Sequence, residues 1–398
     1  MNILKKICKI LYFKLNKEIN FRKSVEYKII KDKGQSFEKL CQVKPESWDK
    51  AYYPPLYGHS KEKWMEILTP AQYAIQIPNA LINANSDIVL TESGAYWDKY
   101  NDEEFLTFAI PVDGNLVKYT NESVWVLLSK SRESIKGITL SLLGVSSFHW
   151  CHFFLQFACK LFYAGENGLL DQKITILLHG NTDANIRQIV EDYIKRFPDA
   201  GIKYADPNKD YLCENVICIP PAFPNFNVGK YRLDYPYIFP AHSIKRIFVN
   251  AVEPYIAKIK DNPTRYEKIF LTRNNSNNSR NLNNYEEVHD YFKGLGFVDI
   301  EGADISLIDK ADIFYHAKEI VGPGGSTWQN LIYCNGAKCL CFTNYRFVDD
   351  TCTYTQFRDK INILMCIAGQ DDNSEYHCGY TIPLDKIKSA YKEYVQNK

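Results

Sequence analysis

The sequence predicts an α/β protein of two units, each a parallel sheet with crossover helices. Three observations predict it. From about residue 122, apolar β-rich runs alternate with helical runs. The stretch PPAFPNFNVGKYRLDYPYIFP (220–240), with five prolines, breaks that alternation midway. The chain has 398 residues, 45% of them hydrophobic, enough for two cores of ordinary size.

The elements follow in order. Residues 1–33 carry ten Lys/Arg against three Asp/Glu, with Ile3, Ile7, Ile10 and Leu11 near helical spacing. That is a basic amphipathic segment suited to an anionic membrane surface, or a solvated tail. Residues 34–120 show few periodicities and read as short strands and turns in a covering role. SVWVLLS (123–129) is a strand, and SSFHWCHFFLQFACKLFYA (146–164) a buried helix. KITILLHG (173–180) is a strand, DANIRQIVEDYIKRF (183–197) a capped amphipathic helix, and ENVICIP (214–220) a strand. Beyond the proline-rich connection, HSIKRIFVNAVEPYIAKIK (242–260) is a helix that Pro254 kinks. Then come strand KIFLTR (268–273), helix NYEEVHDYFKGLG (284–296), strand FVDI (297–300) and helix ISLIDKADIFYHA (305–317). Strand EIVG (319–322), helix STWQNLIYCN (326–335), strand KCLCF (338–342) and helix LDKIKSAYKEYVQ (384–396) complete the run. The domains expected are a basic N-terminal segment (1–33) and two α/β domains (34–235 and 236–398). Ligands in such sheets bind beyond the carboxyl ends of the strands.

Composition removes several function classes. Lys+Arg 48 against Asp+Glu 47 leaves almost no net charge, which disfavours a nucleic-acid partner. The 12 cysteines lack C-x-x-C spacing and sit among apolar neighbours, so they read as core residues in a reducing cytosol. No apolar run reaches the roughly 20 residues that span a bilayer. The expected location is cytoplasmic, peripheral at the inner face of the membrane through residues 1–33.

Three pieces carry chemistry. In EIVGPGGSTWQNLIYC (319–334), Gly322, Gly324 and Gly325 lie where a strand turns into a helix opening with Ser326 and Thr327. Glycines let an anion approach the backbone, and the first helical turn offers free N–H groups and a positive dipole end. The same glycines would equally allow close strand–helix packing. The run is neither G-x-x-x-x-G-K-[ST] nor G-x-G-x-x-G, which disfavours a P-loop ATPase and a dinucleotide dehydrogenase. In FLTRNNSNNSRNLNNYEEV, Arg273 ends a strand and Arg280 follows in a polar loop. Guanidinium forks match phosphate oxygens. Asn284 and Glu287 read as a helix cap and a first-turn acid. In SSFHWCHFF, His149 opens a buried helix, as a core residue or a proton acceptor; His152 reads as core, and Trp150 fills volume or stacks a sugar.

Taken in order, FHW (148–150), FLTR (270–273), SRNLNNYEE (279–287) and IVGPGGSTWQNLIYC (320–334) resemble the family-61 glycosyltransferases, in particular their bacterial capsule-biosynthesis members. The resemblance covers roughly residues 120 to 345. Relatives often carry histidine where Gly324 stands, and Glu-Gln where this chain has Asp309-Lys310. The resemblance implies a GT-B fold, two Rossmann-like domains facing a central cleft. It also implies inverting transfer of a sugar from a nucleotide-sugar donor to a glycan or lipid-linked glycan acceptor. Donor contacts then fall to Arg273, Arg280, Gly322, Gly324, Gly325, Ser326, Thr327 and Asn330. His149 is the expected base, and Asp183 the fallback, although a helix N-cap is its plainer duty. No D-x-D occurs, Asp299-x-Glu301 being nearest, so no metal and no cofactor is expected beside the nucleotide-sugar co-substrate. Two other functions fit the same pieces: a non-catalytic nucleotide-sugar-binding scaffold, and a nucleotide-sugar epimerase on the same fold.

Overall fold

The computed structural model describes residues 21–30, 37–53, 55–59, 64–69, 71–97, 115–120, 122–220, 241–273, 280–302, 305–348, 352–371 and 378–396. Residues 1–20 and the proline-rich connection lie outside these. Contacts divide the chain into two compact units: Met1–Ser47 with Pro70–Asn225, and Trp48–Thr69 with Phe226–Lys398. The chain therefore enters the second unit early, leaves it, and returns after the first unit is complete.

The first unit begins with β1 (Phe21–Lys28) and β2 (Glu38–Lys44). The hairpin β3 (Ser47–Tyr52) and β4 (Trp64–Thr69) that follows packs with the second unit. There Ala241 N–H donates to Asp49 at 2.9 Å, and Thr355 donates to the Tyr52 carbonyl at 3.2 Å. The first unit resumes with β5 (Gln72–Asn83), β6 (Ile88–Thr91), β7 (Gly94–Trp97), β8 (Leu116–Tyr119) and β9 (Ser123–Ser129). Its parallel strands are β10 (Ser131–Ser141), β11 (Ile174–His179), β12 (Ala200–Ala205) and β13 (Lys209–Cys218). They stand in the order β12-β11-β10-β13, extended by the antiparallel strands β5, β6 and β7.

Two expectations change here. SVWVLLS is the centre of a separate antiparallel sheet, β1-β9-β8, whose apolar side chains Val124, Val126 and Leu128 face a small core of their own. The first parallel strand is instead SRESIKGITLS. Charged residues on its exposed face disguise it, and Gly137, at φ +77°, bulges it. Phe21–Lys28 is also a strand, so that part of the basic N-terminal segment is not helical.

The helix after β10 is one continuous run of Trp150–His152, a π turn Phe153–Phe157, and Ala158–Glu166. Phe153, Phe154, Phe157 and Phe162 are buried, which explains a helix apolar on most sides. Asp183 caps the next helix, Ala184–Ile194, by accepting from Asn185 N–H at 2.8 Å.

The second unit opens with the helical pieces Ala241–Ile247, Phe248–Val252 and Glu253–Ile259, Pro254 standing at the start of the last. Its sheet comprises β14 (Lys268–Leu271), β15 (Val298–Ile300), β16 (Glu319–Pro323), β17 (Ala337–Asn344), β18 (Ile361–Asp371) and β19 (Tyr380–Thr381). The spatial order is β15-β14-β16-β17-β18-β19, parallel throughout except β19. Helices Tyr285–Gly294 and Leu384–Tyr391 bury Val288, Phe292, Ile387 and Tyr391 against Phe270, Phe342 and Ile367 of the sheet. The strand order reverses between β14 and β16. In open α/β sheets the crevice for ligands lies beyond the carboxyl ends at that reversal.

Candidate functional site

At this reversal β16 ends in the glycine turn and β14 ends in Arg273. Gly322 has φ +147°, and a Cβ there would strike the Leu271 carbonyl oxygen, so only glycine lets the two strands close up at this level. The Gly324 N–H donates to Phe342 O at 2.7 Å, continuing the pairing with β17. That amide, expected to meet a ligand, is engaged within the sheet. Gly325 follows in an extended conformation and opens the 3-10 helix Ser326–Tyr333, where an α-helix was expected. Among the described residues the N–H groups of Gly325, Ser326 and Thr327 have no acceptor. These three amides are the turn's free donors.

Every carbonyl of the turn is held. Arg273 Nη1 donates to Gly324 O at 2.7 Å, Tyr354 Oη to Gly325 O at 2.9 Å, and Trp328 Nε1 to Pro323 O at 2.9 Å. Trp328 and Tyr354 stack with centroids 5.6 Å apart. The turn is thus rigid, with oxygens turned to side-chain donors and nitrogens left over. Arg273 makes no ion pair among the described residues. Burial, and then the neighbouring Arg280 charge, lower its pKa from the usual guanidinium value. Arg280 sits in a left-handed backbone conformation at φ +64°, its guanidinium 3.9 Å from the Phe347 ring centroid. The Arg280 charge is near enough to act on the half-buried Arg273, and a second cation near a desolvated one favours an anion beside them.

In the first unit, His149 is exposed and precedes the helix Trp150–His152. The Phe148 ring lies between two imidazoles, 4.1 Å from His149 and 4.6 Å from His179. His179 ends β11. Its Nδ1 accepts from Asn181 N–H at 3.0 Å, so Nε2 carries the proton and donates to Asn85 Oδ1 at 3.1 Å. Burial, and then the His149 charge, depress its pKa to about 4, and it stays neutral near pH 7.

Residues 150–341, just under half the chain, match the family model described as Glycosyltransferase 61. No curated protein matches the chain. The matched stretch begins one residue after His149 and takes in Asp183, Arg273, Arg280 and the whole glycine turn.

Within that stretch, Arg273, Gly322, Gly324 and Gly325 come together, the Arg280 charge acts on Arg273, and Ser326 is exposed. Thr327 packs against Gly302, where a Cβ would come within 2.7 Å of its hydroxyl. Asn330 is 1% exposed, and its buried Oδ1 has no hydrogen-bond partner among the described residues. A Cβ on Gly324 would point at Phe342 O, 3.3 Å away, and at Cys341 Sγ, 3.4 Å away. A side chain there would require these neighbours to shift by a few tenths of an ångström. Asn284 Nδ2 bonds Glu287 at 3.1 Å and the Ile382 carbonyl at 2.8 Å, a structural duty. Asp309 N–H donates to Ser306 Oγ at a helix start, also structural.

Sequence reasoning missed Tyr354, Phe347 and His179. Tyr354 and Phe347 lie in a connection without periodicity. His179 had a signal, an imidazole ending an apolar strand immediately before Gly180.

Proposed function

We propose that the protein is an inverting glycosyltransferase that moves a sugar from a nucleotide-sugar donor to a glycan or lipid-linked glycan acceptor. The observation that carries this reading is Arg273, clasped to Gly324 O beside the free amides of Gly325, Ser326 and Thr327 at the strand-order reversal, with the Arg280 charge near enough to act on it. The match of residues 150–341 to glycosyltransferase 61 supports sugar transfer as the chemistry. Surface or capsular polysaccharide as the product rests on the resemblance of the motifs alone. A GT-B architecture is the finer form of the fold reading, and the parallel strands within each unit support it.

In the reaction the bond from the anomeric carbon to the diphosphate oxygen breaks, and a bond from the acceptor oxygen forms on the opposite face. Charge grows on the departing diphosphate. Arg273, Arg280 and the three amides would stabilise that charge without reorganising. The acceptor hydroxyl loses its proton to a base, a role assigned to the exposed imidazole of His149. Guanidinium and amide groups supply the stabilisation a metal gives elsewhere, so we assign no metal to the step. The cytoplasmic side of a membrane, reached through the basic N-terminal segment, is the location this reading favours.

The test incubates the protein with UDP-, GDP-, CMP- and dTDP-sugars and a glycan acceptor. Release of free nucleotide together with a lengthened glycan supports the reading. An isomerised donor without transfer, or no turnover of any donor, would contradict it.

A further inference from the structure

Tyr345, just beyond the carboxyl end of β17 in the second sheet, is exposed, at 52%. An exposed aromatic ring offers a flat face on which a planar partner can stack. The residue follows Asn344, the last of β17, and β17 adjoins the strand that ends in the glycine turn. Its short 3-10 turn, Tyr345–Phe347, is held from below. Asn344, fully buried, accepts from Phe347 N–H at 2.7 Å and donates to the Cys378 carbonyl at 3.3 Å. The Lys386 ammonium lies 6.0 Å from the Tyr345 centroid. The same turn seats Arg280, through the Phe347 ring. Tyr345 and Phe347 are two residues apart, so their Cα atoms lie within about 7 Å.

We propose that Tyr345 is the stacking platform for the donor's nucleobase. It would hold the base beside the guanidinium that meets the phosphates. This rests on the reading of the glycine turn as a diphosphate site. The turn that carries the ring is already held by Asn344, which lowers the ordering needed on binding, and stacking tolerates any base. Tyr345 therefore contributes affinity for nucleosides in general, and the choice among bases falls to polar groups around it.

The experiment is calorimetric titration of UDP, GDP, CDP, dTDP, ADP and inorganic pyrophosphate into the wild-type protein, Tyr345→Ala and Tyr345→Phe. Tyr345→Ala should bind the preferred nucleoside diphosphate about 5- to 150-fold more weakly. Tyr345→Phe should restore the affinity, and pyrophosphate should bind all three proteins alike. Equal nucleotide affinity in wild type and Tyr345→Ala overturns the platform while leaving the diphosphate site intact. Equal loss of pyrophosphate and nucleotide in Tyr345→Ala also overturns it, since the ring would then act on the turn and not on the base. Failure of the wild type to bind either probe overturns the diphosphate reading, and the platform with it.

Discussion

Gly322 and Gly325 of one turn have different duties, and substitution separates them. Gly322→Ala places a Cβ against the Leu271 carbonyl at a φ that L residues rarely adopt. It should destabilise the second unit by about 1–3 kcal/mol, read as a lowered midpoint in urea. Gly325 is different: it is extended, and a Cβ would lie 3.7 Å from Arg273 Nη1, an ordinary contact. Gly325→Ala should fold normally yet weaken donor binding, because its methyl stands where the anion meets the guanidinium. Arg273→Ala removes both a charge-assisted contact, worth about 1.5–3 kcal/mol, and the clasp on Gly324 O. A fall of at least tenfold in kcat/KM is expected for this variant. The glycine spacing and Arg273 were legible in the sequence, because a strand that ends in glycine or arginine interrupts an apolar pattern visibly. The engagement of the Gly324 amide was not, since it depends on the partner strand β17, which local sequence does not reveal.

At the scale of elements, helix caps and strand ends decide what the first unit can do. Asp183 caps its helix, and asparagine caps as well as aspartate. Asp183→Asn should therefore keep both stability and transfer activity if His149 is the base. Loss of activity in a folded Asp183→Asn variant, measured by product release, would move the base to Asp183. His179 predicts a pH effect on stability. Its pKa is depressed to about 4 in the folded state, against an ordinary value of 6.5. The unfolded chain then binds the extra proton first, so this contribution to stability is fully present above about pH 6.5 and is lost as pH falls toward 4. Thermal melts across that window should show a falling Tm, and the slope should flatten in His179→Phe. The alternation of strand and helix was readable wherever a strand is buried on both faces, as in β11, β14, β16 and β17. It failed for β10, whose charges face solvent, and for β2 and β8, which pair antiparallel with bulges and so mix the two-residue period.

On the scale of the molecule, the chain builds its second unit from distant pieces. The hairpin β3–β4 arrives before the first unit is finished, so the order of residues along the chain does not give the order of packing. That long-range exchange left no mark in the sequence, because a hairpin's pattern does not name the sheet it joins. Among the described residues no helix is long and apolar enough to cross a membrane. Transfer activity should persist in excess EDTA if arginines and amides stabilise the leaving diphosphate. Complete loss that manganese restores would place a metal in the step.

The most direct measurement of the central claim is titration of inorganic pyrophosphate into wild type and Arg273→Gln, followed by thermal shift. Pyrophosphate at 100 times its dissociation constant should stabilise the wild type by about 2.7 kcal/mol and leave Arg273→Gln nearly unmoved. Equal stabilisation of both proteins, or none of the wild type, would contradict a diphosphate held by Arg273 at the glycine turn.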